Sequence, residues 1–420
     1  MNRRRAVTAL ASGIGVAVGG TTLYWDWTAD DSQTEKSTPE PVTRTGSFLH
    51  GVTPSRVTRE RLTLFEEWAD SSPAVVNVFA NLGWSDAKIE DLFEIRLTRI
   101  WEHGHVPMLI LQPFFGIANH PDTEEDFDEG DQSESTDNRD EATSPLVARD
   151  IADGEYDDVL SRWTAALDDW LHPGDGSAER RLYLNFAPEM NGDWVPWSGA
   201  TGDSTPADFV DMWERTYEEV TDGDISDHHL QWIWAPDNVG TPSAGYSISE
   251  YYPGDNYVDW IGMHGYNWYE WGGWVSPRDL YDHVIDRLQS VTDKPIAFSE
   301  YGTSSQVADE HRPERKGEWI DTVLEYLADS DVQLACWFNV DKETDWAVLD
   351  GGRGTGTWEH EGETYNTYPE YRTGIRKHRA LPAHPDHPRR LTDEEFRGVF
   401  DSEAGTADTT ASDAGRPSDS

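Results

Sequence analysis

The sequence has 420 residues, with 80 Asp and Glu against 33 Lys and Arg, and therefore a formal net charge of −47. That charge excludes nucleic-acid binding by counterion release and argues against docking on anionic lipid, because both need a basic surface. The single cysteine, Cys336, excludes an intramolecular disulfide framework. The basic residues are 6 Lys and 27 Arg, and an acidic excess with so little lysine is typical of proteins from salt-loving organisms.

The N-terminal residues 1–25 are predicted to be an export signal or a membrane anchor. Three arginines, Arg3 to Arg5, precede an apolar stretch over residues 6–24. This layout is typical of export signals, and the consecutive arginines resemble a twin-arginine signal. No clear small-x-small cleavage site follows, so a cleaved signal and a membrane tether both remain open. Residues 26–45 are predicted to be a linker, and we expect the protein to be secreted or held at the cell surface.

Residues 46–379 alternate short apolar runs with longer amphipathic runs. The predicted strands are residues 48–52, 74–80, 106–111, 182–186, 230–234, 258–263, 296–299 and 334–338. The predicted helices are residues 56–69, 86–102, 156–171, 206–220, 277–291 and 315–327, and the weakest crossover lies near residues 247–252. Eight strands, each followed by a crossover, predict a single (β/α)8 TIM barrel of the α/β class. A doubly wound open sheet is the alternative, but it usually carries a Gly-rich phosphate loop, which is missing here.

Two other segments are predicted to lie outside the barrel's regular elements. The acidic, Ser/Thr-rich residues 119–144 indicate a surface loop insertion. A calcium site in this loop is conceivable because calcium prefers carboxylate oxygens, but the regular Asp-x-Asp-x-Asp spacing is absent and a solvated loop is favoured. Residues 380–420 are predicted to be a disordered acidic tail, since their C-terminal part has few large apolar residues to bury.

Two glutamates mark the carboxyl ends of predicted strands. Glu189 follows the fourth strand and Glu300 ends the seventh, each a few residues before a glycine. The carboxyl ends of the strands carry the chemistry in barrels of this kind, and a charge at the end of a buried strand is costly unless it is paired or functional. The pair is therefore the candidate catalytic centre.

Aromatic side chains follow the same strand ends. They are Trp194, Trp197, Trp234, Tyr266, Trp268, Trp271, Trp274, Trp337 and Trp346. Tryptophan faces stack on the apolar faces of sugar rings, although core packing is the commoner use of any single tryptophan. So many at one predicted end of a barrel favours a carbohydrate site.

Five sequence blocks in barrel-compatible order resemble glycoside hydrolase family 26, best known for β-mannanases, over nearly the whole barrel. The blocks are residues 148–157, Pro188-Glu189-Met190-Asn191-Gly192-Asp193-Trp194, Trp234-Ala235-Pro236-Asp237-Asn238, residues 252–266, and Trp337-Phe338-Asn339 with Lys342 and Asp345-Trp346. The resemblance implies a retaining glycosidase with Glu189 as general acid/base and Glu300 as nucleophile. In such enzymes the two carboxyls lie about 5–5.5 Å apart, and their mutual repulsion is expected to hold one proton on Glu189.

The resemblance also implies the residues that contact the polysaccharide substrate. Tyr266 matches the tyrosine that bonds the nucleophile, and Trp337 matches the platform beneath the cleaved sugar. The further expected substrate-binding residues are Asn185, Asn191, Trp194, Trp197, Trp234 and Trp346. The family usually has Arg-x-x-His before the acid/base glutamate, whereas this sequence has Asn185 and Pro188. Since proline has no donor, Asn185 is the expected replacement, and the preference for mannan is less secure than glycosidase activity.

Metal and thiol chemistry are not expected. His50, His103, His105, His228 and His229 fall on different predicted elements, so the sequence predicts no metal site and no cofactor. Cys336 lies in the eighth strand, where a buried inert thiol is the expected state. The resulting hypothesis is an exported, monomeric endo-β-1,4-mannanase, with β-1,3-xylan or mixed-linkage β-glucan as alternative substrates. A non-catalytic cell-surface carbohydrate-binding protein is the alternative of another class.

Overall fold

The protein is described by a computed structural model over residues 46–115 and 143–400, apart from residues 175, 177, 202, 239–244, 272–273 and 385–386. The predicted signal or anchor, the linker, nearly all of the acidic insertion and the tail beyond residue 400 lie outside the described residues. In the part of the chain that is described, no helix has both the length and the apolar character needed to cross a membrane.

Eight parallel strands close into a barrel in chain order, and the last strand pairs with the first. They are β1 (Leu49–Pro54), β2 (Val75–Asn81), β3 (Val106–Gln112), β4 (Leu182–Phe186), β5 (Leu230–Trp234), β6 (Trp260–Asn267), β7 (Ile296–Thr303) and β8 (Val332–Asn339). Their residues are nearly all buried, because each strand lies between the barrel interior and a helical layer. The (β/α)8 prediction is confirmed, and the open-sheet alternative is wrong.

Helices connect the strands on the outside of the barrel. They are α1 (Arg59–Ala69), α2 (Asp86–Asp91, a π-helical turn Leu92–Leu97, and Thr98–His103), α3 (Val147–Ala152), α4 (Asp157–Leu171), α5 (Pro206–Thr221), α6 (Pro277–Gln289), α7 (Pro313–Asp329) and α8 (Pro369–Lys377). Local sequence sets several of their starts. Thr205, for example, caps α5 through a reciprocal bond pair with Asp208, and Pro206 follows in the first turn. The fifth crossover is a single 3-10 turn, Ile248–Tyr251, as its weak signal predicted.

Residues 380–400 correct the predicted boundary of the disordered tail, because they fold against the barrel. Leu381 bridges Leu49 at the start of β1. The buried guanidinium of Arg181 donates to the carbonyl oxygens of Leu391 at 2.9 Å and Thr392 at 3.1 Å. Leu391 and Phe396 are buried in the core, so the segment packs through apolar side chains, and Arg181 satisfies two of its carbonyl oxygens.

Candidate active site

Glu189 is held over the carboxyl mouth of the barrel by an unusual backbone turn after β4. Ala187 and Glu189 both adopt left-handed conformations, with φ of 44° and 61°. Two bonds to neighbouring strands fix the turn: the Ala187 N–H donates to the Leu111 carbonyl at 2.9 Å, and the Glu189 N–H donates to the Ala235 carbonyl at 2.8 Å. Non-glycine residues in this region are strained and concentrate at functional sites. The turn brings Glu189 to the mouth of the barrel.

A bulge in β7 brings Glu300 beside the same point. Met263 of β6 pairs with Phe298 of β7, but the next residue, His264, pairs with Glu300, so Ser299 is an extra residue in β7. Bulges of this kind re-aim a side chain and occur often next to active sites. Here the bulge places Glu300 directly opposite His264.

His264 joins the two glutamates into one cluster. Its Nδ1 lies 2.7 Å from Glu189 Oε1 and 3.5 Å from Glu300 Oε2. A carboxylate oxygen of each glutamate lies within 4.8 Å of the other. The Tyr266 hydroxyl donates to Glu300 Oε2 at 2.7 Å, while the buried Glu300 Oε1 makes no hydrogen bond with the described residues. The predicted contact between Tyr266 and Glu300 is therefore present, and the two carboxylates meet.

The charges of the cluster follow from its burial and its contacts. Burial lowers the pKa of His264, but Glu300 and then Glu189 outweigh burial and raise it to about 9. Burial favours a protonated Glu189, but the bond and charge of His264, the bond from Trp194 and the charge of Lys342 together outweigh burial and lower the pKa of Glu189. Burial raises the pKa of Glu300, against the pull of His264 and Tyr266. The expectation that repulsion holds a proton on Glu189 in the free protein is therefore wrong, because His264 carries that proton at neutral pH.

Asn185 contacts His264 instead of facing substrate, which corrects its predicted role. Its side-chain amide lies 2.9 Å from His264 Nε2, and the residue is completely buried. A charged imidazole donates from both nitrogens, so the amide oxygen must face Nε2 in that state, which a half-turn of the amide provides. Asn185 therefore orients the imidazole and fixes where its second proton lies.

Three of the predicted sugar-stacking tryptophans are buried in packing contacts. Trp197, Trp234 and Trp337 are completely buried. Each donates its indole N–H to a backbone carbonyl, at 2.8 Å, 3.1 Å and 3.1 Å respectively. Trp337 packs against Tyr301 and Tyr371, the latter in α8. All three side chains are therefore packed inside the protein, and none of the three indole faces is open to a sugar in this structure.

The remaining predicted contacts divide between structural and exposed positions. Asn191 uses both ends of its amide on the Asp237 backbone, at 2.9 Å and 2.8 Å, and so braces the end of β5. Trp346 is buried and packs on Tyr266 with ring centroids 4.9 Å apart, so it supports that tyrosine. Trp194 is 43% exposed and its indole N–H donates to Glu189 Oε2. Trp194 is therefore the predicted aromatic that offers an open face beside the pair.

His264 is the functional residue that sequence reasoning missed, although the sequence carries a signal for it. It stands two residues before Tyr266, so both side chains share one face of β6. The predicted strand ended at residue 263, which hid this relation. One histidine and two carboxylates could in principle ligate a cation, but His264 Nδ1 already donates to Glu189, and a metal would have to displace that proton.

Comparison with known proteins supports the family resemblance. Residues 143–298 match the model for glycosyl hydrolase family 26. Endoglucanase H of Acetivibrio thermocellus is 29% identical over 209 residues, 47% of this chain and 21% of the relative. A mannan endo-1,4-beta-mannosidase of Caldalkalibacillus mannanilyticus is 30% identical over 154 residues, 35% of this chain and 27% of the relative. A beta-1,3-xylanase of an Alcaligenes species is 27% identical over 161 residues, 38% of this chain and 30% of the relative.

This chain therefore spans about a fifth to a third of the length of these relatives. The catalytic domain of a Bacillus endo-beta-1,4-mannanase from family 26 has the same fold, with a TM-score of 0.56 at 16% identity, covering 84% of this chain and 90% of the other. The matched region contains both Glu189 and His264, and the closed barrel agrees with the solved structure. The family model over residues 143–298, these relatives and the shared barrel fold together support glycoside hydrolase family 26 as the family that this chain resembles.

Proposed function

We propose that the protein is a retaining glycoside hydrolase that cleaves β-linked polysaccharide by double displacement. The observation that carries the proposal is the separation of the Glu189 and Glu300 oxygens, which lie within 4.8 Å of one another. Inverting enzymes hold their carboxyls about 6.5–9.5 Å apart to admit a water molecule, whereas retaining enzymes hold them about 5–5.5 Å apart. The geometry therefore favours direct attack by one glutamate.

Glu300 is the proposed nucleophile because one of its oxygens is free to attack. Tyr266 holds Oε2 at 2.7 Å, and among the described residues Oε1 has no hydrogen-bond partner. In the first step an oxygen of Glu300 bonds to the anomeric carbon, the glycosidic bond breaks, and the leaving oxygen takes a proton from Glu189. In the second step water attacks the same carbon, gives a proton back to Glu189, and releases Glu300.

The proton for the first step is stored on His264. Proton transfer across the 2.7 Å contact from Nδ1 to Glu189 Oε1 converts an imidazolium and a carboxylate into a neutral imidazole and a carboxylic acid. The proton that remains on Nε2 then faces the Asn185 amide, 2.9 Å away. This exchange keeps the total charge of the cluster constant, which lowers its cost in a buried site.

We propose β-1,4-mannan as the first substrate to test, with β-1,3-xylan and mixed-linkage β-glucan as alternatives. The family resemblance and one relative's name support mannan, while the other relatives are named for endoglucanase and β-1,3-xylanase activity. Pro188 stands where the family usually has histidine, and the Asn185 amide is committed to His264. The substrate hydroxyl that meets the family histidine therefore has no partner at either position, which weakens the case for mannan specifically.

The test is a screen of purified protein in molar salt against a panel of β-glycans, with product sizing and assignment of the anomer formed first. Retention with oligosaccharide products supports the proposal, and initial formation of the inverted anomer contradicts it. Glu189→Gln and Glu300→Gln should each lower activity by several orders of magnitude without loss of folding. If both variants keep full activity, the roles assigned here are wrong.

Azide separates the two roles. Azide can replace water in Glu189→Ala with an activated aryl glycoside, giving a glycosyl azide of retained configuration. In Glu300→Ala, azide attacks in place of the missing nucleophile and gives the inverted configuration. The opposite pattern would exchange the roles of the two glutamates.

We also propose that the protein is exported through residues 1–25 and acts as a monomer. The basic start and apolar run of the sequence support the export proposal. Immunoblotting of cell fractions and medium tests it, with Arg4→Lys and Arg5→Lys together expected to retain the protein inside cells.

A further inference from the structure

A second cluster of ionisable side chains lies at the end of the barrel opposite the glutamate pair. It consists of Glu66 near the end of α1, His103 at the end of α2 and His105 just before β3. One candidate ligand atom from each lies within 4.8 Å of the other two. Sequence analysis treated His103 and His105 as members of a scattered set, but the structure brings them together.

A tight turn points both imidazoles to the same side. Gly104 separates them with a φ of 108°, a conformation that favours glycine. The backbone N–H of His105 donates to the Ile100 carbonyl at 3.1 Å. The ring centroids of His103 and His105 lie 5.5 Å apart. The positions of the two rings are thus fixed by the backbone and do not depend on a flexible loop.

One ring nitrogen of His105 has a hydrogen-bond partner, and the other does not. Its Nδ1 lies 2.7 Å from the Pro73 carbonyl, which can only accept, so Nδ1 carries the proton. In the neutral ring Nε2 then offers a lone pair, yet it faces Glu66 Oε1 at 3.6 Å and makes no hydrogen bond with the described residues. The side chain of His105 is 0% exposed.

Two acceptors that face each other in a buried place repel unless a cation lies between them. We propose that Glu66, His103 and His105 bind a divalent transition-metal ion, zinc, which joins α1 to the start of β3. Two imidazole nitrogens and a carboxylate oxygen form a common zinc ligand set. The Pro73 carbonyl supplies the outer hydrogen bond that metal-bound histidines usually make.

The spacing of the ligand atoms suits this ion. Tetrahedral zinc with bonds of about 2.0–2.1 Å places its ligand atoms about 3.3 Å apart. One ligand atom from each of the three residues lies within 4.8 Å of the other two. The two imidazoles approach different oxygens of the Glu66 carboxylate, His103 Nε2 at 2.9 Å from Oε2 and His105 Nε2 at 3.6 Å from Oε1. Small side-chain shifts therefore complete the site, and water can fill the fourth position because His103 and Glu66 are partly exposed.

A second His–Glu–His cluster provides the contrast. Among His172, Glu179 and His229, the Nδ1 of His229 accepts from the Ser226 N–H at 3.2 Å. The proton of a neutral His229 must then lie on Nε2. This nitrogen also makes no hydrogen bond of good geometry with the described residues, but it faces Glu179 Oε2 at 3.2 Å as a donor and not as a second acceptor. This cluster needs no cation, and His229→Gln is the matched control.

The experiment measures zinc binding by the purified protein after treatment with EDTA and its removal, in molar NaCl. Calorimetry with ZnCl2 should give one site per chain, the melting temperature should rise, and Co²⁺ should give the visible absorption of a four-coordinate site. Glu66→Gln and His103→Gln should each weaken zinc binding at least tenfold, whereas His229→Gln should bind as the wild type does. CaCl2 should not replace zinc, because calcium prefers all-oxygen ligands.

His105→Gln could fail to fold because that ring is buried, so the decision rests on the two partly exposed ligands. The proposal is overturned if zinc shows no saturable 1:1 binding, or if both Glu66→Gln and His103→Gln bind with wild-type affinity. The proposal is also overturned if His229→Gln loses as much zinc affinity as Glu66→Gln and His103→Gln do, or if CaCl2 binds as tightly as ZnCl2. Either result would assign the binding to the acidic surface in general.

Discussion

Replacing His264 by glutamine should narrow the pH range of activity from both sides. At neutral pH the wild-type imidazole is charged, since its pKa is raised to about 9. A positive charge favours an ionised carboxylate, so its removal raises the pKa of Glu300, and activity is lost at a higher pH as the solution is acidified. The alkaline limb of the pH–activity profile should move to a lower pH than about 9, because the imidazole of His264, which holds the catalytic proton, is gone.

The size of the acid-side shift follows from the geometry. The His264 Nδ1 and the Glu300 Oε2 atoms lie 3.5 Å apart, and at an effective dielectric constant of about 20 two unit charges at that distance attract by about 5 kcal/mol. One pH unit corresponds to about 1.4 kcal/mol, so about 3.5 units is the upper bound of the shift. Both side chains are almost fully buried, which limits screening, while relaxation of the site reduces the shift to an expected 1–2 units.

The assay is kcat/KM against pH from about 4 to 10 on the preferred β-glycan, with circular dichroism at each pH to confirm folding. His172→Gln, which removes a histidine paired with Asp168 at the end of α4, is the control and should leave both limbs in place. If the acid limb of His264→Gln lies within about half a unit of the wild type, His264 carries no charge that Glu300 feels. The proton-storage argument would then fail.

Three further predictions follow from the same structure. Tyr266→Phe removes the hydroxyl that donates a hydrogen bond to Glu300 at 2.7 Å. A hydrogen bond to a charged group is worth about 1.5–3 kcal/mol, so kcat/KM should fall about ten- to a hundredfold. A fall of less than threefold would contradict a catalytic role for this hydrogen bond. Trp337→Phe should lower the free energy of unfolding by about 1–3 kcal/mol in a urea titration and leave KM unchanged, because the indole is buried. A large rise in KM would show that Trp337 contacts the substrate after all. The melting temperature should rise from low to molar KCl, because counterions relieve repulsion among 80 acidic residues; equal stability at low salt would point to another origin of the acidity.

The fold could be predicted from the sequence because each barrel strand is a short apolar run flanked by amphipathic segments. The predicted fourth and fifth strands coincide with β4 and β5. The predicted strand ends are wrong where a strand continues through polar residues. Strands β6 and β7 extend to Asn267 and Thr303, whose side chains hydrogen-bond to each other. A prediction based on apolar runs ends such a strand too early. Residues 380–400 were misassigned because their few apolar side chains, such as Leu391 and Phe396, are widely spaced among polar residues, although they are buried in the core.

The site could be predicted only where chemistry and strand position coincide. Glu189 and Glu300 combine a strand end with an acidic side chain, so sequence sufficed to pair them. The platform role of Trp337 was implied by the resemblance alone, and in the structure this indole is buried against Tyr371 of α8. His264 was missed because it lay one residue past the predicted end of β6.

The replacement of the family histidine by Pro188 acquires a physical meaning once His264 is in view. Proline fixes its own φ and lies between two left-handed residues, Ala187 and Glu189, in a turn that must be rigid to aim the carboxylate. A histidine at position 188 would add a second imidazole near the cluster, and the two rings would compete for the one proton that Glu189 needs. The left-handed turn, the β7 bulge and the buried charge of His264 are each unfavourable alone. All three unfavourable features lie at one pair of carboxylates. A catalytic site requires such a combination, whereas a barrel end with only a structural role does not.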